Sequence, residues 1–377
     1  MRWRNRFYDL LTARIARPEF RRWASRIPLL RPAGRASAAA LFDLCAGFVY
    51  TQTLLACVRL DVFRMVYERP RTPGEVARLA GLSTQAADTL LRSAAALGLL
   101  RTRGDGTFGL GLRGAALIDN PGVCAMIEHN ALLYRDIADP VDFLRRTTPD
   151  GDLARFWRYV AQGDDSRLEA SDTAAYSRLM TVSQEMVAEE VFSAVSLEGR
   201  RKLLDVGGGH GAFALAAARA WPGLTVSVFD LPGVVPGAAA AAREAGIQRF
   251  VCHEGDFVRD PLPEGADVIS LVRILHDHDD QVVLRLLQEA ARVLPEGGMV
   301  IVAEPMRGEG AEARVADAYF GFYLRGMGRG RARSVDEISA LLGRAGFSDV
   351  QRKSTKVPLI ASVLTGKCAG KRQKKLT

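Results

Sequence analysis

A chain of 377 residues is long enough for two compact domains, each burying a core of its own. Its 48% hydrophobic and 25% charged residues exclude a disordered chain; five cysteines without paired spacing exclude a disulfide framework and read as reduced core thiols of a cytoplasmic protein. The net charge of +8 sits at the ends: residues 1–35 carry ten arginines against Asp9 and Glu19, the stretch from Gly366 adds five cations, and 36–365 is left mildly acidic at −5.

The first segment, MRWRNRFYDLLTARIARPEFRRWASRIPLLRP, spaces Trp3, Phe7, Leu10 and Leu11 at helical intervals, and Phe20, Trp23, Ile27 and Leu30 repeat the pattern after Pro18. Arginines fill the other faces. Two readings fit such an arm: an element lying on an anionic membrane surface, or one packing its aromatics on a partner subunit. No apolar signal-peptide core precedes Pro18. In residues 38–60 the uncharged part, Leu44 to Val58, has 15 residues, short of the roughly 20 that cross a bilayer. A buried helix at a dimer interface is expected there.

Next, Thr72, Pro73 and Glu75 open a helix that Gly81 closes, Ser83 caps a second, and GDG at 104–106 turns a short hairpin. Helix, turn, helix and wing make a winged-helix module. Its second helix has Arg92 as its only cation, whereas groove reading needs several donors facing bases and phosphates. No nucleic-acid partner is expected. Residues 121–195 read as helices rich in aromatic residues, and His129, Tyr176 and Met180 among them are candidates to line an apolar substrate pocket.

At Arg201 the texture changes. KLLDVGGGHGAFALAAARAWPGLTVSVFDLPGVV reads as strand, glycine loop, helix and strand; RFVCHEGDF, ADVISLVRIL and GGMVIVAEPM add strands around a helix from Asp280 to Val293. Strands alternating with helices predict a parallel, doubly wound α/β sheet whose ligands bind at the carboxyl ends of its strands. Gly207, Gly209 and Gly211 let the backbone pass close to a nucleoside, and through Ala212 they also satisfy a loose dinucleotide spacing. Asp205 repels a pyrophosphate but suits a ligand with an ammonium group. Asp230 ends the second strand where ribose hydroxyls need an acceptor. Asp256 and Phe257 offer a carboxylate to an adenine amino group and a ring to its face, and Arg273 joins this cofactor set. Together they favour S-adenosylmethionine over a nicotinamide. The stretch LVRILHDHDD leaves three readings: a metal nest of His276, His278 and the aspartates, a general base at His276, or a polar turn with Asp280 capping the next helix.

The motifs DVGGGHG, FDLP, GDF, ILHD, VAEP and GRARSVDEISALLGRAGF, spread from Leu41 to Phe347, resemble those of the class I O-methyltransferases. The resemblance implies a C-terminal Rossmann-like methyltransferase domain, an N-terminal helical, winged-helix dimerisation domain, S-adenosylmethionine as cofactor, a homodimer, and no metal. It implies that His276 is the base taking the acceptor hydroxyl proton, with Glu304 of VAEP orienting the imidazole. Plant-like members carry a lysine where this chain has Val272, and a second glutamate where it has Ala332. One carboxylate helper and a less polar acceptor end are therefore expected.

The segment ARPEFRRWASRIPLLRP running into ALFDLCAGFVYTQTLLACVRLDVF is similar to a narrower group, the hydroxyneurosporene (demethylspheroidene) O-methyltransferases of carotenoid synthesis in purple phototrophic bacteria. That implies methylation of the tertiary C-1 hydroxyl of an acyclic hydroxycarotenoid. Such a lipophilic substrate gives the basic ends a purpose at the inner, photosynthetic membrane. The alternatives are methylation of a bacteriochlorophyll precursor or an aromatic polyketide, and a winged-helix regulator that senses S-adenosylmethionine. The expected division is an arm over 1–37, a helical winged-helix domain over 38–195, a cofactor domain over 196–365 and a basic tail over 366–377.

Overall fold

The computed structural model describes residues 2–148, 150–162, 184–308, 316–357 and 361–370. Tyr176, Met180 and the basic residues beyond 370 lie outside them. The chain forms two compact units, Met1–Asn120 and Pro121–Thr377.

In the first unit, α1 (Arg2–Ile15) and α2 (Pro18–Arg26) make up the arm, followed by α3 (Arg31–Arg59), α4 (Val62–Glu68), α5 (Pro73–Ala80), α6 (Thr84–Ala96), the hairpin β1 (Leu100–Thr102) with β2 (Phe108–Leu110), and α7 (Leu112–Ala115). The local signals act as expected. Thr72 and Glu75 close a capping box on α5, Gly81 ends it at φ 68°, and the Ser83 side chain accepts from the amide of Ala86. Cys57, Phe63, Leu91, Leu100 and Phe108 share one core.

The helix expected to be buried at a dimer interface, α3, is largely exposed in the single chain. The helix is buried only toward its end, at Thr53, Leu55 and Cys57, while Leu41, Phe42, Leu44 and Phe48 are exposed. Among the described residues only the last turns of α3 join the winged-helix core, and the large apolar side chains Leu41, Phe42 and Leu44 are exposed in the single chain. By length and composition alone α3 would pass as a membrane span, longer than its uncharged part suggested.

The second unit begins with α8 (Pro121–Asp136), α9 (Pro140–Arg145) and α10 (Asp152–Gln162). Its sheet has the order β5-β4-β3-β6-β7-β9-β8, built from β3 (Lys202–Val206), β4 (Thr225–Asp230), β5 (Phe250–Glu254), β6 (Val268–Val272), β7 (Met299–Glu304), β8 (Phe347–Lys353) and β9 (Ser362–Cys368). The pairs among β3 to β7 are parallel; β9 runs antiparallel to β7 and β8. All five residues of β6 are buried, as a central strand covered on both faces requires. Leu204, Val206, Ile269, Leu271, Val300 and Val302 face α13 (Asp280–Val293) and α15 (Val335–Ala345). On the other face, Leu203, Val226, Val268 and Ile301 pack against α11 (Ala212–Ala220) and a helical stretch over 184–194. The remaining helices are α12 (Val235–Glu244) and α14 (Gly321–Met327).

Two domain boundaries move. The units divide after Asn120, not near 195, because Leu133 of α8 and Leu153 of α10 form a core with Tyr323, Leu324 and Met327 of α14. At the far end Lys367 belongs to β9 and pairs with Asp349 at 2.7 Å, so the sheet extends past the expected start of the tail.

Candidate functional site

From β3 the chain winds outward through β4 and β5, then crosses back to β6 on the other side of β3. The carboxyl ends of β3 and β6 thus flank the switch point where open α/β sheets bind ligands. One wall is the loop after β3. Gly207 and Gly209 adopt φ of 67° and 58°, and a Cβ on Gly207 would lie 2.3 Å from Ile274 Cδ1. The loop can lie against the turn after β6 only because that side chain is missing.

Asp205 is buried beneath this loop. Its Oδ1 accepts from Ser270 Oγ at 2.6 Å, and its Oδ2 has no partner among the described residues. Burial pushes its pKa up to about 7, with the Asp230 charge adding to the rise and the Ser270 hydroxyl opposing it. Such a carboxylate gains most from a cation. Asp230 accepts from the amides of Gly209 and Leu231, both at 2.7 Å, so it fixes the glycine loop and retains lone pairs for hydroxyl donors. Its pKa is raised by burial, and the two amides hold it back. The Gly255 amide donates to the Asp230 carbonyl at 2.9 Å, bringing the end of β5 alongside. Phe257 stands edge-on to His278, ring centroids 5.1 Å apart, and comes within 3.9 Å of the place a Gly207 Cβ would take. Asp256 caps its own turn through the Val258 amide at 2.9 Å. An orphaned buried carboxylate oxygen, a cradle that a Cβ would fill and an acceptor at the end of β4 fit a cationic nucleoside.

The other wall is the turn after β6. Arg273 adopts φ 57°, its amide donates to Ala303, and its Nε is buried without a partner among the described residues. Burial lowers its pKa, against the pull of Tyr323, Tyr319 and Asp277. A 3₁₀ turn over Leu275–Asp277 follows. His276 is 8% exposed, and its amide donates to Glu304 Oε2 at 3.1 Å. Its ring Nδ1 lies 3.5 Å from the same oxygen and Nε2 lies 3.2 Å from Asp277 Oδ1. These are charge contacts more than aligned hydrogen bonds. Burial alone would lower the pKa of His276, but Asp277 and Glu304 outweigh it and raise it to about 10. Burial likewise opposes the charge on Asp277, yet His276 holds its pKa below the usual carboxylate value.

The imidazole therefore has two carboxylate neighbours where one was expected. Ala332 sits in the apolar core with Leu133 and Tyr323, and Val272 is buried in the sheet, so neither position supplies a polar group. Asp277 supplies the second charge from the residue next to the histidine. The cap of α13 also shifts by one: Asp279 accepts from the amides of Gln281 and Val282, while Asp280 is the first helical residue. Among the described residues no group of three or more His, Cys, Asp and Glu is disposed to hold a metal ion.

Beside the histidine lies an aromatic cluster of which sequence reasoning had singled out only His129 for the pocket. Trp157 Nε1 donates to the Tyr323 hydroxyl at 3.0 Å, and His129 Nε2 shares a hydrogen bond with the same oxygen at 2.8 Å. Burial lowers the His129 pKa to about 4, which keeps its imidazole neutral. Tyr319 donates to Asn130 at 2.6 Å, and the Phe320 ring is 6.5 Å from His276. The aromatic run YFGFY at 319–323 was the available signal.

An O-methyltransferase domain model matches residues 134–348, and an O-methyltransferase dimerisation domain matches 42–115. The chain belongs to the O-methyltransferase family. Demethylspheroidene O-methyltransferase of Cereibacter sphaeroides is 47% identical, over 91% of this chain and 90% of that protein. The enzyme of the same name in Rhodobacter capsulatus is 41% identical, over 90% of this chain and 84% of its own length. The solved structure of CalO1, a methyltransferase in calicheamicin biosynthesis with SAH bound, is 28% identical with a TM-score of 0.73, covering 88% of this chain and 98% of that one. This O-methyltransferase thus uses S-adenosylmethionine, and its dimerisation domain supports a homodimer.

Two outcomes follow from the geometry. Asp230→Ala should weaken S-adenosylmethionine binding by about 1.5–3 kcal/mol, the usual worth of a hydrogen bond to a charged group. Calorimetry on the folded variant reads this, and unchanged affinity would remove Asp230 from the site. The second concerns pH. An unfolded histidine titrates near 6.5, whereas folded His276 holds its proton to about 10. Its protonation stabilises the fold fully below pH ~6.5, and that contribution is lost as the pH rises through the folded value. Thermal melts should therefore show the wild type losing stability relative to His276→Ala across that window. Parallel curves would contradict the raised pKa.

Proposed function

We propose that this O-methyltransferase methylates the tertiary C-1 hydroxyl of an acyclic hydroxycarotenoid, with His276 as the general base. The observation that carries the acceptor is the 47% identity with a demethylspheroidene O-methyltransferase over nearly the whole of both chains. When bound, S-adenosylmethionine supplies a methyl group made electrophilic by its sulfonium. Asp205, Gly207, Gly209, Asp230, Asp256, Phe257 and Arg273 bind and orient it. His276 takes the hydroxyl proton as the oxygen attacks, and Asp277 and Glu304 stabilise the imidazolium so formed. In the free cleft His276 is protonated. Its pKa falls beside the positive charge of the bound cofactor, so that this resting proton leaves to solvent and the neutral imidazole is free to take the hydroxyl proton. The surrounding aromatic groups, Tyr319, Phe320, Tyr323 and Trp157, suit a hydrocarbon acceptor, with His129 bonded among them. No step calls for a metal.

A carotenoid is dissolved in membrane, which accounts for the arm. Trp3, Phe7 and Trp23 are more than half exposed on α1 and α2 among the arginines. The arm seats a cytoplasmic homodimer on an anionic bilayer, and α3, which the dimerisation match enters at residue 42, faces the second subunit.

The base is tested by His276→Ala, which should lower kcat by roughly 10²–10⁴ with cofactor binding intact. His278→Ala should be mild and chelator without effect. A phenol ionises partly unaided, so its methylation should survive the change better than that of a tertiary alcohol. Inactivation by chelator, or equal defects at both histidines, would return the site to a metal. The arm is tested by deleting residues 1–35. Binding to anionic vesicles should be lost while activity on detergent-presented substrate is kept; undiminished vesicle binding would assign the arm to the partner subunit instead.

A further inference from the structure

The loop over 328–334 lies directly on the His276 turn. Gly330 adopts φ 76°, and a Cβ there would lie 1.9 Å from the carbonyl oxygen of His276. The loop is pinned at its end, where Ser334 and Glu337 close a capping box on α15 and the Arg307 amide donates to the Arg333 carbonyl at 2.9 Å. Between these points Arg333 is wholly buried. Its Nη1 donates to the carbonyl of Leu275 at 2.6 Å, its Nη2 to that of His278 at 2.7 Å, and its Nε to Asp280 Oδ1 at 2.8 Å. The two carbonyls bracket His276 and Asp277. A 3₁₀ turn of three residues satisfies few of its own acceptors, and the guanidinium takes the ones at either end.

We propose that Arg333 is a positioning residue of the transfer reaction: its planar fork holds the backbone of the His276 turn so that the imidazole stays between Asp277 and Glu304. This rests on the reading of His276 as the base. Stability alone does not explain the residue. Asp280, its one anionic partner, is half exposed, and burying a guanidinium against so wet a partner costs more than an apolar side chain of similar size would. What only arginine supplies at this place is a rigid set of donors reaching two carbonyls and a carboxylate at once. The ring contacts of His276, at 3.2 and 3.5 Å, leave little slack, and a shift of about 1 Å in a reacting group can cost a hundredfold in rate.

The test compares Arg333→Met and Arg333→Lys, each also made in the His276→Ala background, on the full-length protein. For Arg333→Met, calorimetry should give a S-adenosylmethionine affinity within about twofold of wild type, while kcat falls roughly 10–100-fold. Its kcat–pH profile should move to lower pH, because an imidazole freed from its carboxylates titrates nearer its ordinary value. Lysine, which cannot reach both carbonyls, should recover only part of the rate. In His276→Ala, adding Arg333→Met should change turnover less than about twofold, since a residue acting through the histidine has nothing left to position. Wild-type kcat and pH profile in Arg333→Met would overturn the proposal, as would the same fold-loss in the His276→Ala background, the mark of a general prop. Should the methionine variant not fold, the lysine variant decides: a reduced kcat with a displaced profile supports the role, and an undisplaced profile ends it. An active His276→Ala enzyme would instead overturn the base itself, a result distinct from either failure of Arg333.

Discussion

Glu304 ends β7 with no solvent exposure, and a carboxylate in that position draws the donors and positive charge nearest to it. It takes the amide of His276 on Oε2 and lies 3.5 Å from the ring of the same residue. This one contact ties β7 to the turn leaving β6 and gives the imidazole its direction. Asp277 closes on the other ring nitrogen, the glycine loop after β3 packs on Ile274, and the 328–334 loop lies over the carbonyl of His276. Each needs the turn to be where Glu304 holds it.

The cleft is built for positive charge. Asp205, Asp230, Asp277 and Glu304 converge at the strand ends, three of them with oxygens left without a partner among the described residues. His276 in its charged form and Arg273 answer part of this at rest. A cationic cofactor held by Asp205 and Asp230 would bring a second positive charge into the same cleft and disfavour the proton on His276. In the proposed reading, cofactor binding and the protonation of His276 are coupled through electrostatics.

Much of this was legible beforehand because it rests on local rules. Caps at Thr72 and Ser83, the Gly81 stop, the alternation of strands with helices and the glycine loop each follow from a few neighbouring residues. What escaped depends on how the chain turns. Asp277 looked like part of a polar run, and only a 3₁₀ turn brings its carboxylate onto the ring of the preceding residue. The matching loop offered Ala332, so the second carboxylate was sought in the wrong element. Arg333 stood next to it as an ordinary cation; its burial against carbonyls nearly 60 residues earlier is a tertiary fact. The boundary after Asn120 and the exposed half of α3 likewise depend on which surfaces meet, which hydrophobic periodicity alone does not say.

The central claim is that two carboxylates hold His276 as a strongly basic imidazole until a cation joins it. Titration of the imidazole resonances in histidine-labelled protein measures this directly, since the chain has five histidines and His276→Ala assigns the one in question. The account predicts that His276 titrates well above 6.5 in the free enzyme. It also predicts a lower value with S-adenosylmethionine bound and a smaller change with S-adenosylhomocysteine, which lacks the sulfonium charge. A His276 that titrates at or below the ordinary histidine value in the free enzyme would contradict it.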